Sequence, residues 1–221
     1  MYPLALNIGR RLCVVVGGGR VAERKVRGIL AAGGRVRLVS PTVTPGLATL
    51  ADHRAIEWAC KPYARADLDG AFLVLAATNN ADVQRAVHSD ARSAGQLVNV
   101  ADAPELCDFQ VPATIRRGDL AISVATGGKS PAVAAMVKRR LDRFFGEEYG
   151  WLTAFAALLR EQILAEELDS DQTRELFQQL LHDDIVDWLR DRRWDDVRRH
   201  VEKVMGRPVP FDPESLLKEN P

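Results

Sequence analysis

Short apolar runs and helical stretches alternate through the first hundred residues. Leu12–Val16 is an unbroken apolar run, as a strand buried on both faces requires. Val21–Ala32 follows with helical spacing: Val21, Lys25, Gly28 and Ala32 fall close to one face, and Gly33-Gly34 stops it. Arg35–Val39 predicts a second strand, ended by Ser40-Pro41. Ile56–Ala59 predicts a weak third strand and Phe72–Ala77 a strong fourth. Ala81–Ala94 predicts a helix, and Leu97–Val100 a fifth strand. Such alternation predicts a doubly wound parallel α/β sheet with right-handed crossovers.

The pattern then changes. Phe109–Ile115 and Leu120–Ala125 predict two strands around the turn Arg116-Arg-Gly-Asp119. Ser130-Pro131 supplies an N-cap and a first-turn proline for a helix through Phe145, with Val133, Met136, Val137, Leu141 and Phe144 on one apolar face. From Trp151 onward the chain predicts helices only. The apolar sets are Trp151, Phe155, Leu158, Leu159 and Ile163, then Leu176, Phe177, Leu180 and Leu181, then Trp194, Val197, Val201 and Val204. Aromatic residues at these spacings belong to helix packing. Gly206 and Pro208 end the last helix, and a proline-rich tail follows. The expected division is 1–112 for the sheet, 113–145 for a small α+β segment, and 146–221 for the helices and tail.

Composition narrows the classes. No apolar run approaches the roughly 20 residues that span a bilayer, and the N-terminus lacks the charged start and long apolar core of a signal peptide. Cys13, Cys60 and Cys107 are few and scattered, which argues against a disulfide framework or a cysteine zinc site and points to the cytoplasm. The net charge of zero hides an asymmetry. Residues 1–146 carry 20 Lys+Arg against 12 Asp+Glu, while residues 147–221 carry 10 against 18. A basic half suits an anionic cofactor or a polyacidic substrate. The basic residues are dispersed and accompany no nucleic-acid motif, so neither nucleic acid nor a membrane is an expected partner.

Gly17-Gly18-Gly19-Arg20-Val21-Ala22 fits G-x-G-x-x-A, the turn of a Rossmann-type dinucleotide site. Gly17 permits the tight turn, Gly19 lets backbone approach a pyrophosphate, and Ala22 keeps helix and sheet close. The helix N-terminus offers N–H groups and a positive dipole end. The second strand ends in Ser40-Pro41-Thr42, without the acidic residue that grips a ribose hydroxyl; Ser40 or Thr42 is the expected substitute. No Arg or Lys follows directly to meet a 2′-phosphate, which favours NAD over NADP. Thr78 and Asn79 follow the fourth strand, and Asn99 and Asp102 fall at the end of the fifth. In an open α/β sheet these ends flank the ligand crevice. Thr126-Gly-Gly-Lys129-Ser130-Pro131 is a second glycine-rich turn opening a helix. Arg116, Arg117, Lys129, Lys138, Arg139 and Arg140 are either candidate partners for substrate carboxylates or solvated charges. No H-x-x-x-H, C-x-x-C, G-x-S-x-G or Tyr-x-x-x-Lys pattern is present, which removes the common zinc-enzyme, hydrolase and short-chain dehydrogenase readings.

Five segments in order carry a family resemblance: Val16-Gly-Gly-Gly-Arg-Val-Ala-Glu-Arg-Lys25, Ala76-Ala-Thr-Asn79, Asn99-Val-Ala-Asp-Ala-Pro104, Phe109-Gln-Val-Pro-Ala113 and Thr126-Gly-Gly-Lys-Ser-Pro131. Together they resemble the precorrin-2 dehydrogenase and sirohydrochlorin ferrochelatase family, the dehydrogenase-chelatase part of siroheme synthase. The resemblance implies NAD-dependent oxidation of precorrin-2 to sirohydrochlorin in a homodimer, with 113–145 as the dimerisation segment. It implies Asp102 as the catalytic proton acceptor, and ties the same position to Fe²⁺ insertion in members that chelate iron. Gly17, Gly19, Arg20, Val21, Ala22, Ser40, Pro41, Thr42, Thr78 and Asn79 are the expected NAD contacts. Asn99, Arg116, Thr126, Lys129 and Ser130 are the expected substrate contacts. His53, His88, His182 and His200 have no metal-ligand spacing, so no metal ligands are assigned. Two other classes fit parts of the chain. A non-catalytic NAD(H) sensor would use the same glycine turn but leaves 99–104 and 126–131 unexplained. A structural oligomerisation module over 109–221 leaves the turn itself unexplained.

Overall fold

The computed structural model describes residues 2–166 and 168–218. The chain divides into two compact units, Met1–Val111 and Pro112–Pro221.

The first unit runs β1 (Leu12–Val16), α1 (Arg20–Ala31), β2 (Arg35–Val39), α2 (Pro45–Asp52), β3 (Glu57–Ala59), β4 (Leu73–Ala76), α3 (Ala81–Ser93) and β5 (Leu97–Val100). The strands form one parallel sheet in the order β3-β2-β1-β4-β5. This is the doubly wound Rossmann-type arrangement that the alternation predicts. The chain leaves β1 toward β2 on one side and returns to β4 on the other, so the sheet switches direction between β1 and β4. Both faces are covered, which is why the central strands β1 and β4 are apolar throughout. Cys13, Val15, Leu38 and Leu75 pack under Ala22, Val26 and Ile29 of α1. Val14, Val16, Val74 and Val98 pack under Val87 and Ala91 of α3.

Several details differ from the sequence expectation. The buried face of α1 is Ala22, Val26 and Ile29, not the face of Val21, Lys25 and Gly28. Val21 is 38% exposed, because the exit of the glycine turn fixes the helix phase so that Ala22 meets the sheet. α2 is an added element, capped by Thr44 with Pro45 in its first turn. Its stripe is too short to read as periodicity, since only Leu47 is fully buried. The strand expected at Phe109–Ile115 starts four residues later, at Ala113. The residues before it run back along β5 instead. Asp108 N donates to Val98 O (2.9 Å), and the Asp108 carboxylate accepts from Val98 N (3.0 Å).

The second unit opens with an antiparallel hairpin, β6 (Ala113–Arg117) and β7 (Leu120–Val124). The helices α4 (Pro131–Phe144), α5 (Glu148–Leu164), α6 (Ser170–Leu180), α7 (Asp183–Arg190), α8 (Trp194–Met205) and α9 (Pro213–Lys218) follow. Arg117 fastens the hairpin to the end of α4: its guanidinium donates to Phe145 O (2.9 Å) and to the Asp142 carboxylate (3.0 Å). The core consists of Phe155, Leu159 and Ile163 of α5 with Leu180, Ile185, Leu189, Val197 and Val201. Exposed Arg190 of α7 closes a two-point bond on buried Glu148 of α5, at 3.1 and 2.9 Å. α7 escapes the periodicity reading because it is only eight residues long and opens with two aspartates. The expected proline-rich tail is in fact folded into this core. Val209 and Leu216 are buried, and the Phe211 ring meets Phe155 edge-on at 4.9 Å.

Candidate active site

The C-terminal ends of the strands are stitched together by backbone bonds. Gly17 N donates to Val39 O (2.9 Å), Ala77 N to Val16 O (2.7 Å) and Ala101 N to Ala76 O (2.8 Å). The loops after β1, β2, β4 and β5 therefore leave one sheet edge from fixed points. Gly17, Gly19, Arg20, Val21, Ala22, Ser40, Pro41, Thr42, Thr78, Asn79 and Asp102 all belong to this edge or to the helix that begins at it.

The three glycines of the first loop have separate reasons. Gly17 has φ +115°, and a Cβ there would stand 2.3 Å from Ala77 O. A Cβ on Gly18 would stand 1.9 Å from Thr42 O, so the middle glycine is required for the loop after β2 to lie across the turn. Gly19 faces open space: a Cβ there meets nothing within 4 Å, and its φ of −85° suits any residue. Nothing within the chain calls for glycine at that position, whereas a ligand pressed against the backbone would. No side chain caps α1 among the described residues. Its first bond runs from Glu23 N to Gly19 O (3.0 Å), so the amides of Arg20, Val21 and Ala22 lack helical acceptors. An open cradle at an uncapped helix N-terminus fits a pyrophosphate.

The loop after β2 is held against that turn. Thr44 N donates to Gly18 O (2.9 Å), and the Thr44 hydroxyl donates to Glu23 (2.6 Å). Hydrogen bonds from Thr44 and then Arg27 hold the Glu23 carboxyl below its ordinary range. Ser40 is buried, its hydroxyl donating to Thr42 O (2.7 Å). Pro41 and Thr42 are exposed beside it. In the loop after β4, Thr78 is half-buried and Asn79 exposed, ahead of Asn80, which caps α3.

Asp102 sits one residue beyond the last sheet bond of β5, exposed, at φ +60°. Aspartate tolerates this left-handed conformation better than most residues, at a cost of about 1 kcal/mol. Its carboxylate makes no hydrogen bond or ion pair among the described residues. Three side chains outside the expected set hold its surroundings. Cys107 Sγ lies 3.2 Å from Val100 O and 3.3 Å from Ala103 O, closing the turn from one side. The Gln84 amide of α3 donates to Thr78 O (2.7 Å) and Ala101 O (3.2 Å), joining the β4 and β5 loops. Lys25 of α1 donates to Asn99 Oδ1 (2.6 Å). Burial, with Arg24 acting the same way, holds the Lys25 ammonium below its ordinary value, against the opposing pull of Cys107 and Asp102. Buried Asn99 donates in turn to Phe109 O (2.9 Å), so its amide is engaged on both sides. Sequence spacing carries no signal for Gln84 or Cys107, and Lys25 is visible only as part of a longer motif.

The remaining expected residues lie in the second unit. Arg116 is exposed on β6, and Lys129 is exposed in the turn before α4. Ser130 caps α4 by accepting from Val133 N (3.2 Å). The Thr126 hydroxyl lies 3.2 Å from both Ser130 N and Ser130 O. Among the described residues no group of three or more His, Cys, Asp or Glu is placed to hold a metal ion, and no helix is long and apolar enough to cross a membrane.

Known proteins share this arrangement. Residues 4–113 match a family described as "Putative NAD(P)-binding", and residues 117–143 match one described as "Sirohaem biosynthesis protein central". Siroheme synthase of Methylobacillus flagellatus is 41% identical over 175 residues, 79% of this chain and 37% of that protein. Siroheme synthase of Chromobacterium violaceum is 37% identical over 202 residues, 91% of this chain and 43% of that protein. Among solved structures, SirC, a precorrin-2 dehydrogenase, superposes with a TM-score of 0.72 at 27% identity. The superposition covers 93% of this chain and 100% of that one. The chain belongs to the family of SirC and the dehydrogenase/chelatase part of siroheme synthase. It spans about two fifths of the length of the siroheme synthases, 37% and 43% in these two. In this family's frame the first unit is the NAD(P)-binding part.

Proposed function

We propose that this chain is an NAD-dependent precorrin-2 dehydrogenase of siroheme biosynthesis, acting as a cytoplasmic homodimer. The observation that carries the reading is one sheet edge bearing both an open glycine cradle at an uncapped helix and an exposed carboxylate, Asp102, with no hydrogen bond or ion pair among the described residues. The alikeness to SirC along that protein's full length supplies the substrate class.

Bound NAD⁺ would supply the hydride acceptor. Gly17, Gly19 and the amides of Arg20, Val21 and Ala22 would hold its phosphates. Ser40, Pro41 and Thr42 would hold one end, and Thr78 and Asn79 the other. The lack of a cation immediately after β2 favours NAD over NADP. Oxidation of precorrin-2 to sirohydrochlorin removes a hydride and a proton, and Asp102 accepts the proton. An exposed carboxylate beside the cofactor loops suits a general base. Arg116 and Lys129 are exposed and rank first as candidates for substrate carboxylates. Asn99, Thr126 and Ser130 rank behind them because internal bonds engage their side chains. In α4, Val133, Met136 and Phe144 are 45%, 41% and 68% exposed, an apolar face that a second copy over 113–145 would cover. Where a family member also inserts Fe²⁺, the same Asp102 is the group to accept pyrrole protons.

The test is anaerobic turnover of precorrin-2 with NAD⁺, followed by NADH and sirohydrochlorin absorbance. Wild type is expected to turn over. Asp102→Ala is expected to lose about 100-fold or more in kcat while binding NAD⁺ normally. NAD⁺ binding without wild-type turnover would reject the enzyme and favour a sensor. A ferrous-iron arm of the same assay reads chelation.

A further inference from the structure

We propose that Gln84 is a positioning residue for this reaction, setting where the Asp102 carboxylate stands relative to the loop after β4. The inference rests on the dehydrogenase reading. The two loops share one last sheet bond, Ala101 N to Ala76 O (2.8 Å), and among the described residues no backbone bond ties them beyond it. Past that point Gln84 Nε2 reaches both loops, at 2.7 Å from Thr78 O and 3.2 Å from Ala101 O. A carboxamide nitrogen carries two N–H donors, so one side chain uses both of them on one carbonyl from each loop. The arm is rigid at its base. Gln84 N donates to Asn80 O (3.0 Å) in the first turn of α3, and Asn80 caps that helix through two amides.

The consequence falls on Asp102. Its φ of +60° makes the turn sensitive to the orientation of the preceding peptide, whose carbonyl is the one Gln84 holds. Cys107 closes the turn between Val100 and Ala103 but does not tie it to the β4 loop. Gln84 makes that cross-tie. Without it the strand ends keep their register while the proton acceptor loses its fixed offset from the loop that carries Thr78 and Asn79. Misplacement of a catalytic group by about 1 Å can lower a rate by roughly 100-fold without weakening binding of the ligands.

Two variants separate this role from simple support of the fold. Gln84→Met keeps length and flexibility but has no donor. Gln84→Lys restores donors able to reach both carbonyls. In the anaerobic assay Gln84→Met is expected to lower kcat by about 10- to 100-fold, with KM for NAD⁺ within about twofold of wild type. Gln84→Lys is expected to recover most of the loss. Independently of activity, amide hydrogen exchange at residues 101–103 is expected to speed up in Gln84→Met and to slow again in Gln84→Lys. An inactive wild type overturns the dehydrogenase reading, and this inference with it. An active wild type beside an equally active Gln84→Met, or unchanged exchange at 101–103, overturns the inference alone. Failure of both variants to fold also overturns it, by making Gln84 a structural residue.

Discussion

The chain contains two glycine-rich turns that each open a helix, and they are built differently. At Gly17–Gly19 the helix has no side-chain cap, and the last glycine faces open space. At Thr126–Ser130 the same sort of sequence closes on itself. Ser130 accepts from Val133 N, the Thr126 hydroxyl accepts from Ser130 N, and Lys129 N donates to Thr126 O. A glycine-rich turn before a helix is therefore not in itself an anion site. What separates the two is whether the chain's own side chains already take up the N–H groups at the helix start.

Substitutions sharpen this contrast, and the largest effect is expected at Gly17. Gly17→Ala adds a methyl 2.3 Å from Ala77 O at φ +115°. Backbone strain and overpacking together are expected to cost about 3 kcal/mol and to abolish nucleotide binding. Chemical denaturation beside an NADH fluorescence titration reads both effects. A stable Gly17→Ala that binds NADH would break the account of the first turn.

At the second turn a smaller effect is expected, on stability and not on the dinucleotide. Ser130→Ala removes the cap of α4 and should lower stability by about 1 kcal/mol, leaving NADH affinity unchanged. Loss of NADH affinity in this variant would erase the distinction between the turns.

The smallest effect is a pH dependence confined to the second unit. The rings of His182 and His200 lie 4.5 Å apart, each about 5.5 Å from Trp188. Asp184 stands 3.8 Å from His182. Burial first, then the charge of His182, lowers the His200 pKa from 6.5, with Lys203 acting the same way and the carbonyls of Leu180 and Gln179 opposing it. A base whose folded pKa is lowered binds fewer protons folded than unfolded. Its contribution is complete above pH 6.5 and is lost as pH falls below that value toward the lowered one. Melting of the second unit is therefore expected at lower temperature at pH 5.5 than at pH 7.5, and His200→Gln should flatten the dependence. An unchanged slope in that variant would assign it to other groups.

Legibility in the sequence follows how local each determinant is. β1, β2 and β5 match their expected limits because each is a short segment rich in valine and leucine with glycine, proline or polar residues close at its ends. The parallel order follows from the alternation alone. The α1 face is not legible because both Val21/Lys25/Gly28 and Ala22/Val26/Ile29 have helical spacing, and only the geometry of the turn chooses between them. α7 is too short to show a period, and in the proline-rich tail Val209, Phe211 and Leu216 are too few to show one. At the site, the glycine turn and Asp102 lie in short segments of recognisable type. Gln84 and the middle role of Gly18 depend on contacts with residues 6 to 24 positions away, at Thr78, Ala101 and Thr42. No local pattern encodes such contacts.

The most direct test of the first turn as the cofactor cradle is NADH titration of Gly19→Val, with thermal melting as its control. The new side chain enters space that the protein itself leaves open. The melting temperature is expected to stay within about 2 °C of wild type, since open surface substitutions change stability little, while NADH affinity falls at least tenfold. An unchanged affinity in the folded variant would contradict it and place the dinucleotide elsewhere.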